Sequence, residues 1–113
     1  MELKDMTLSQ LKAYIEEQEA KVCEIKTPYE IGKPYQIRTV TMIYTGRLVK
    51  IYPGELVLSN AAWIPETDRW ANSCKTGVFK EVEPYPETAN VIIPRGGILD
   101  AFVVDYDLPT KQK

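Results

Sequence analysis

The sequence predicts an α+β fold, mainly β: one N-terminal helix followed by a small, strongly bent, antiparallel β-barrel. Three observations predict it. Helix formers with an N-cap signal fill the first quarter of the chain. Composition then switches to β-branched and aromatic runs, and short turns rather than helical crossovers separate those runs. At 113 residues the chain is sized for one domain, and 44% hydrophobic residues suffice for a packed core.

The helix comes first. Thr7-Leu-Ser-Gln10 fits the S/T-x-x-E/Q capping box, and Ala, Leu, Lys, Glu and Gln fill the turns that follow. Leu8, Leu11, Ile15 and Val22, with Gln18 completing the spacing, form a narrow seam beside Tyr14. Thr27-Pro28 should end the helix, because proline restricts the residue before it. A helix of about 15 residues is marginal alone, so the seam needs a partner. Either it packs on the chain's own sheet or it pairs between protomers. The expected division is an oligomerisation helix over 1–26 and a ligand-binding β-barrel body over 27–113, within a single domain.

Pro28 to Pro34 is a connector containing Gly32. Tyr35 to Thr45 is rich in β-branched and aromatic residues; Gly46 interrupts it, and Arg47 to Tyr52 continues it. The expectation is one long strand with a bulge or bend at Gly46. Pro53-Gly54 is a turn, and Glu55 to Ser59 returns as the next strand, running into Asn60 to Ile64. Pro65 to Gly77 reads as a loop with a short helical turn, and Val78 to Val82 as a short strand. Val91-Ile-Ile93 and Ile98 to Val104 are the last strands, flanking Pro94-Arg-Gly-Gly97. Leu108 to Lys113 reads as a polar tail. Close strands joined by short turns make antiparallel pairing the default, and about 80 residues of such strands close most simply as a small barrel.

Composition narrows the function. There is no histidine, which removes the commonest general base and metal ligand and lowers the expectation of an enzyme. Net charge is −2, without the basic footprint of a duplex-binding protein. No apolar run approaches the roughly 18 residues that span a bilayer. The first ten residues carry no apolar signal core, so an intracellular protein is expected. Cys23 and Cys74 have no metal-type spacing and are expected as reduced thiols. No cofactor is implied.

The arginines are unevenly placed. Residues 1–33 hold five Lys, no Arg and seven acids, whereas 34–113 hold Arg38, Arg47, Arg69 and Arg95 with five Lys and nine acids. The body is neutral overall yet carries every guanidinium, the flat fork suited to phosphates and to stacking on bases. Ordinary surface ion pairs are the structural alternative.

Two segments stand out. Ala61 to Trp70 holds two Trp, an Arg and two acids. Its tryptophans either plug an open barrel end or form a stacking platform beside an arginine; Phe79 could serve either purpose. In the second, Asn90 heads the run Val91-Ile-Ile-Pro-Arg-Gly-Gly97. The glycines either close a hairpin or let Arg95 and bare amides approach an anion. Asp100 is placed to accept from Arg95. The pairs Glu66/Asp68 and Asp105/Asp107 read as solvated acids.

The Gly46-Arg-Leu-Val-x-Ile and Val91-Ile-Ile-Pro-Arg-Gly-Gly-Ile98 stretches resemble the two motifs of Sm-like barrels, ring oligomers that bind single-stranded RNA. The Tyr52-Pro-Gly-Glu55 turn is shorter than in that family and lacks its base-contacting Asn, so the resemblance implies the strand layout more than RNA binding.

A second resemblance covers residues 37–101. Ile37-Arg-Thr-Val-Thr-x-x-Tyr-Thr-Gly-Arg47, Leu56-Val-Leu-x-x-Ala-Ala-Trp-Ile64 and Thr67-x-Arg69 with aromatic Trp70 carry it. Lys75-Thr-Gly77, Glu81-Val-Glu-Pro84 and Arg95-Gly-x-Ile98 with Asp100-Ala complete it. Together they are similar to a widespread family of small phage and prophage proteins that includes the first-described anti-Thoeris sponges. Where that family usually has Phe, this chain has Trp70.

That resemblance implies a non-enzymatic protein of the bacterial host cytoplasm. Such a protein sequesters cyclic ADP-ribose isomers, with cyclic oligonucleotides as further ligands, and assembles as dimers and higher oligomers such as hexamers. The residue chemistry agrees: a pyrophosphate needs Arg or backbone N–H, and an adenine needs an aromatic face. The candidate binding residues are Arg38, Arg69, Trp70, Phe79, Asn90, Arg95, Gly96 and Gly97. The competing readings are an Sm-like single-stranded RNA-binding ring and a ligand-free virion or assembly component whose arginines pair with Glu66, Asp68 and Asp100.

Overall fold

A computed structural model describes residues 8–10, 12 and 26–113. Residues 8–10 and 12 are helical, and Leu8 of the expected seam is exposed; the rest of the expected helix, the other seam positions and Cys23 lie outside the described residues. The body contains β1 (Pro34–Thr39), β2 (Ile43–Ile51), β3 (Glu55–Glu66), helix α1 (Trp70–Thr76), β4 (Glu81–Pro84), β5 (Val91–Pro94) and β6 (Ile98–Val103). A 3-10 turn, Arg95–Gly97, joins the last two strands. The six strands form one antiparallel sheet in the order β4-β3-β2-β1-β6, with β5 also on β3. The mainly-β class therefore holds.

The sheet coils strongly. Pro94 pairs with Glu55, which faces Tyr52, while Ile98 pairs with Thr39, which faces Met42. Met42 and Tyr52 are separated by nearly the whole of β2, about 33 Å of extended strand. The link from Pro94 to Ile98 reaches no more than about 14 Å. A three-residue turn joins these levels only if the sheet wraps round on itself. The ladder stays open nonetheless: β5 pairs with β3, β6 pairs with β1, and the two do not pair with each other. The expected closed barrel is corrected to a coiled, open sheet.

The expected long strand over 35–52 is instead the hairpin β1–β2, turning at Val40 to Met42. This turn uses neither Gly nor Pro. Thr39 builds it, its amide and hydroxyl both donating to the Met42 carbonyl (2.7 and 2.8 Å) while its hydroxyl accepts from the Met42 amide (3.0 Å). Gly46 runs through the middle of β2, and the bulge lies across from it on β3, at Asn60 (φ 48°). A Cβ on Gly46 would meet the Leu58 Cβ at 2.9 Å, so glycine there admits the neighbouring strand.

That bulge splits the core. Leu56, Leu58 and Ala61 join Tyr35, Ile37, Leu48 and Ile93 inside the coil. One residue later Ala62 and Ile64 face the other side, packing with Phe79, Val82, Ile43 and Tyr106. Strict alternation would have kept 56, 58, 60, 62 and 64 on one face. Val78 to Lys80 lies outside any strand, correcting the expected strand there to β4 at Glu81–Pro84. The polar tail is docked: Lys113 and Val82 exchange both backbone hydrogen bonds at 2.9 Å, and the Gln112 side-chain amide donates to Glu83. Among the described residues no helix is long and apolar enough to cross a membrane.

Candidate functional site

Alternation along β1 turns Tyr35 and Ile37 into the coil and Gln36 and Arg38 onto its outer face. Arg38 stands across from Asp100 of β6. Its Nε donates to Oδ1 at 3.1 Å and its Nη2 to Oδ2, a bidentate pair with side chains 42% and 48% exposed. The guanidinium carbon also sits 5.1 Å from the centre of the Trp70 ring.

Trp70 is placed by α1, and α1 is anchored at its far end. The buried Ser73 hydroxyl donates to the Trp70 carbonyl (2.7 Å), and Gly77 closes the helix at φ 69°. The Tyr106 ring lies flat against Gly77, where a Cβ would come within 2.3 Å of it. The Tyr106 hydroxyl then donates to Oε1 of buried Gln36 (2.6 Å), and Gln36 Nε2 reaches the Cys74 sulfur (3.7 Å). Strand, C-terminal segment and helix thus fix one another, and Trp70 and Arg38 inherit that rigidity.

Beside them an open groove of about 310 Å³ is lined by Arg38, Met42, Trp63, Pro65 and Leu99 among others. It offers a guanidinium and an indole wall, the two elements that hold a phosphate and a flat base. Burial dominates the titration of the supporting groups. It pushes the Cys74 thiol up, with Asp100 adding to the rise, and pushes the Tyr106 phenol up strongly. Tyr44 is raised too, by burial and then by Tyr85. Among the described residues no group of three or more His, Cys, Asp or Glu is arranged to hold a metal ion.

The other expected site residues do not gather here. Arg69 is the exposed N-cap of α1. Phe79 is only 1% exposed and meets Tyr106 edge-on at 6.0 Å, so it has no free face for a base; this corrects its assignment as a stacking residue. Asn90 is exposed just before β5. Arg95 lies over the Tyr29 ring at 5.5 Å, donates to the Tyr52 carbonyl (3.1 Å), and its amide is taken by the Gly54 carbonyl (2.9 Å). It ties the β2–β3 turn to the connector rather than lining the groove.

Gly96 and Gly97 close no hairpin, because the strands they join pair elsewhere. The Gly97 carbonyl accepts from the Val40 amide (3.0 Å). Asp100 serves Arg38, not Arg95. The two-tryptophan segment is conspicuous in the sequence, but Trp63 as a wall of the groove is not, and nothing local marks Tyr106 as the support of α1.

No family model matches the chain, and no curated protein or solved structure gives a significant match.

Proposed function

We propose that this chain is a non-enzymatic sponge that binds and sequesters cyclic nucleotide signals and so blocks the effectors of Thoeris- and CBASS-type defence. The ligands are cyclic ADP-ribose isomers such as glyco-cyclic ADP-ribose, together with cyclic oligonucleotides. The observation that carries the reading is Arg38, seated on Trp70 at the edge of an open groove with Trp63 in its wall. Arg38 binds phosphate and an indole stacks on the base. A near-neutral protein suits a ligand with so few charges. On this reading the protein is phage- or prophage-encoded, works in the bacterial host cytoplasm and acts as a homo-oligomer built from dimers.

Isothermal titration with cyclic ADP-ribose isomers tests it. Saturable binding at micromolar protein is expected, and no detectable heat overturns it. Native mass spectrometry of protein purified from cells expressing a TIR-domain defence enzyme should show a co-purifying cyclic nucleotide mass.

One observation favours a second reading. The strand order, with β5 passing to β6 through a three-residue turn, suits a bent barrel of the Sm-like type. An RNA-binding ring of that type would bind uridine- or adenine-rich oligonucleotides with strong salt dependence. Fluorescence anisotropy with short RNAs separates the two.

A further inference from the structure

The Arg38 groove already holds one anion, supplied by the chain itself. A guanidinium presents five N–H donors in a flat fork. Here Nε and Nη2 serve the Asp100 carboxylate, and one face lies on Trp70. An incoming phosphate finds only the remaining donors, next to a negative charge that repels it.

We infer that Asp100 is a built-in competitor for the anion that Arg38 binds, and that it sets which anions the groove accepts. The inference rests on the reading of this groove as the binding site. The Arg38–Asp100 pair is about half exposed on both sides, so its own contribution is small and a ligand can displace it. A free inorganic anion gains nothing beyond the contact it takes from Asp100. A nucleotide also lays a flat base against the groove wall, where Trp63 stands. Displacing Asp100 costs every phosphate alike, but repulsion by its carboxylate grows with ligand charge. It therefore weighs most on pyrophosphate, which is more highly charged than cyclic ADP-ribose and brings no ring to offset it.

The test uses the full chain with two probes, inorganic pyrophosphate and cyclic ADP-ribose, titrated into wild type, Asp100→Asn and the double variant Arg38→Ala/Asp100→Asn. Asp100→Asn keeps the shape and removes the charge; Asp100→Ser repeats the measurement should Asn shift the melting midpoint. Pyrophosphate should bind Asp100→Asn about fivefold more tightly than wild type, and the gain should vanish in the double variant. The preference for cyclic ADP-ribose over pyrophosphate should shrink in Asp100→Asn. If pyrophosphate gains while cyclic ADP-ribose binds neither protein, the competitor role stands and the nucleotide reading falls. If cyclic ADP-ribose binds wild type while Asp100→Asn gains for neither probe, the nucleotide reading stands and the competitor role falls. Weaker binding in Asp100→Asn, or a gain that survives loss of Arg38, overturns the inference.

Discussion

The Arg38 guanidinium lies 5.1 Å from the Trp70 ring centre while gripping Asp100 through two hydrogen bonds. A cation on a long side chain would ordinarily sample many rotamers; here a ring beneath it and a carboxylate beside it hold one. The Trp70 ring keeps that placement when an incoming anion displaces Asp100, so the side chain's ordering costs little on binding while the displacement of Asp100 does not.

Arg38→Ala should therefore separate binding from stability. On the proposed reading, loss of a charge-assisted phosphate contact should weaken cyclic ADP-ribose binding at least about tenfold. Stability should fall by only about 1 kcal/mol, the sum of a half-exposed ion pair and a part-exposed ring contact with Trp70. Arg38→Lys should recover only part of the affinity, since an ammonium cannot reproduce the flat fork. Titration calorimetry alongside a thermal melt measures both; unchanged affinity would remove Arg38 from the site.

Arg95→Ala should do the reverse. Arg95 joins the Tyr52 carbonyl and the Tyr29 ring, contacts that fasten a turn to the connector. Its loss should lower stability by about 1–2 kcal/mol in urea unfolding and leave ligand affinity within about twofold. A large affinity loss at unchanged stability would return Arg95 to the binding site.

These two arginines show what was legible in the sequence. That the body carries every guanidinium could be read from composition, and the strands could be read from β-branched runs and the Pro53-Gly54 turn. Which arginine faces the groove could not, because Arg38 and Asp100 meet only through β1–β6 pairing, and Arg95 finds Tyr29 and Tyr52 only when the sheet coils. The β1–β2 turn carries no glycine or proline signal, because a threonine side chain makes it within a run of good strand formers. Gly46 looked like a bulge, yet it makes room for Leu58, a demand visible only from the strand opposite.

Alkaline pH should lower the stability of the protein in two stages. Burial raises both the Cys74 thiol, from an ordinary 9.0, and the Tyr106 phenol, from an ordinary 10.0. The folded chain holds these protons longer than the unfolded chain, so the unfolded form loses them first. Stability is full below about pH 9 and falls as pH rises past it, first through Cys74 and then, above about pH 10, through Tyr106 together with Tyr44, which burial also raises. Cys74→Ser should move the onset to about pH 10. Tyr106→Phe should reduce the upper step, leaving the part due to Tyr44, and lower neutral-pH stability by about 1–3 kcal/mol, since the buried Gln36 carbonyl loses its donor. Urea midpoints between pH 7 and 11 report both, and a midpoint constant from 9 to 11 would contradict the account.

Gly77→Ala should disable the groove from a distance. Two penalties coincide at Gly77. Its φ of 69° suits glycine, and an added Cβ would lie 2.3 Å from the Tyr106 ring, far inside contact distance. The ring cannot retreat easily, because Phe79 lies edge-on to it and Gln36 holds its hydroxyl. Relief requires α1 to shift or Tyr106 to leave, and either releases Trp70 from beneath Arg38. Stability should fall by about 2–4 kcal/mol. Trp fluorescence of the native state should change, and cyclic ADP-ribose affinity should drop although no groove residue is altered. Gly46→Ala makes the control: its Cβ meets Leu58 in the inner core, so a similar stability loss should arise there with the Arg38–Trp70 geometry intact. Equal losses of affinity in the two variants would mean that binding follows global stability rather than the position of α1.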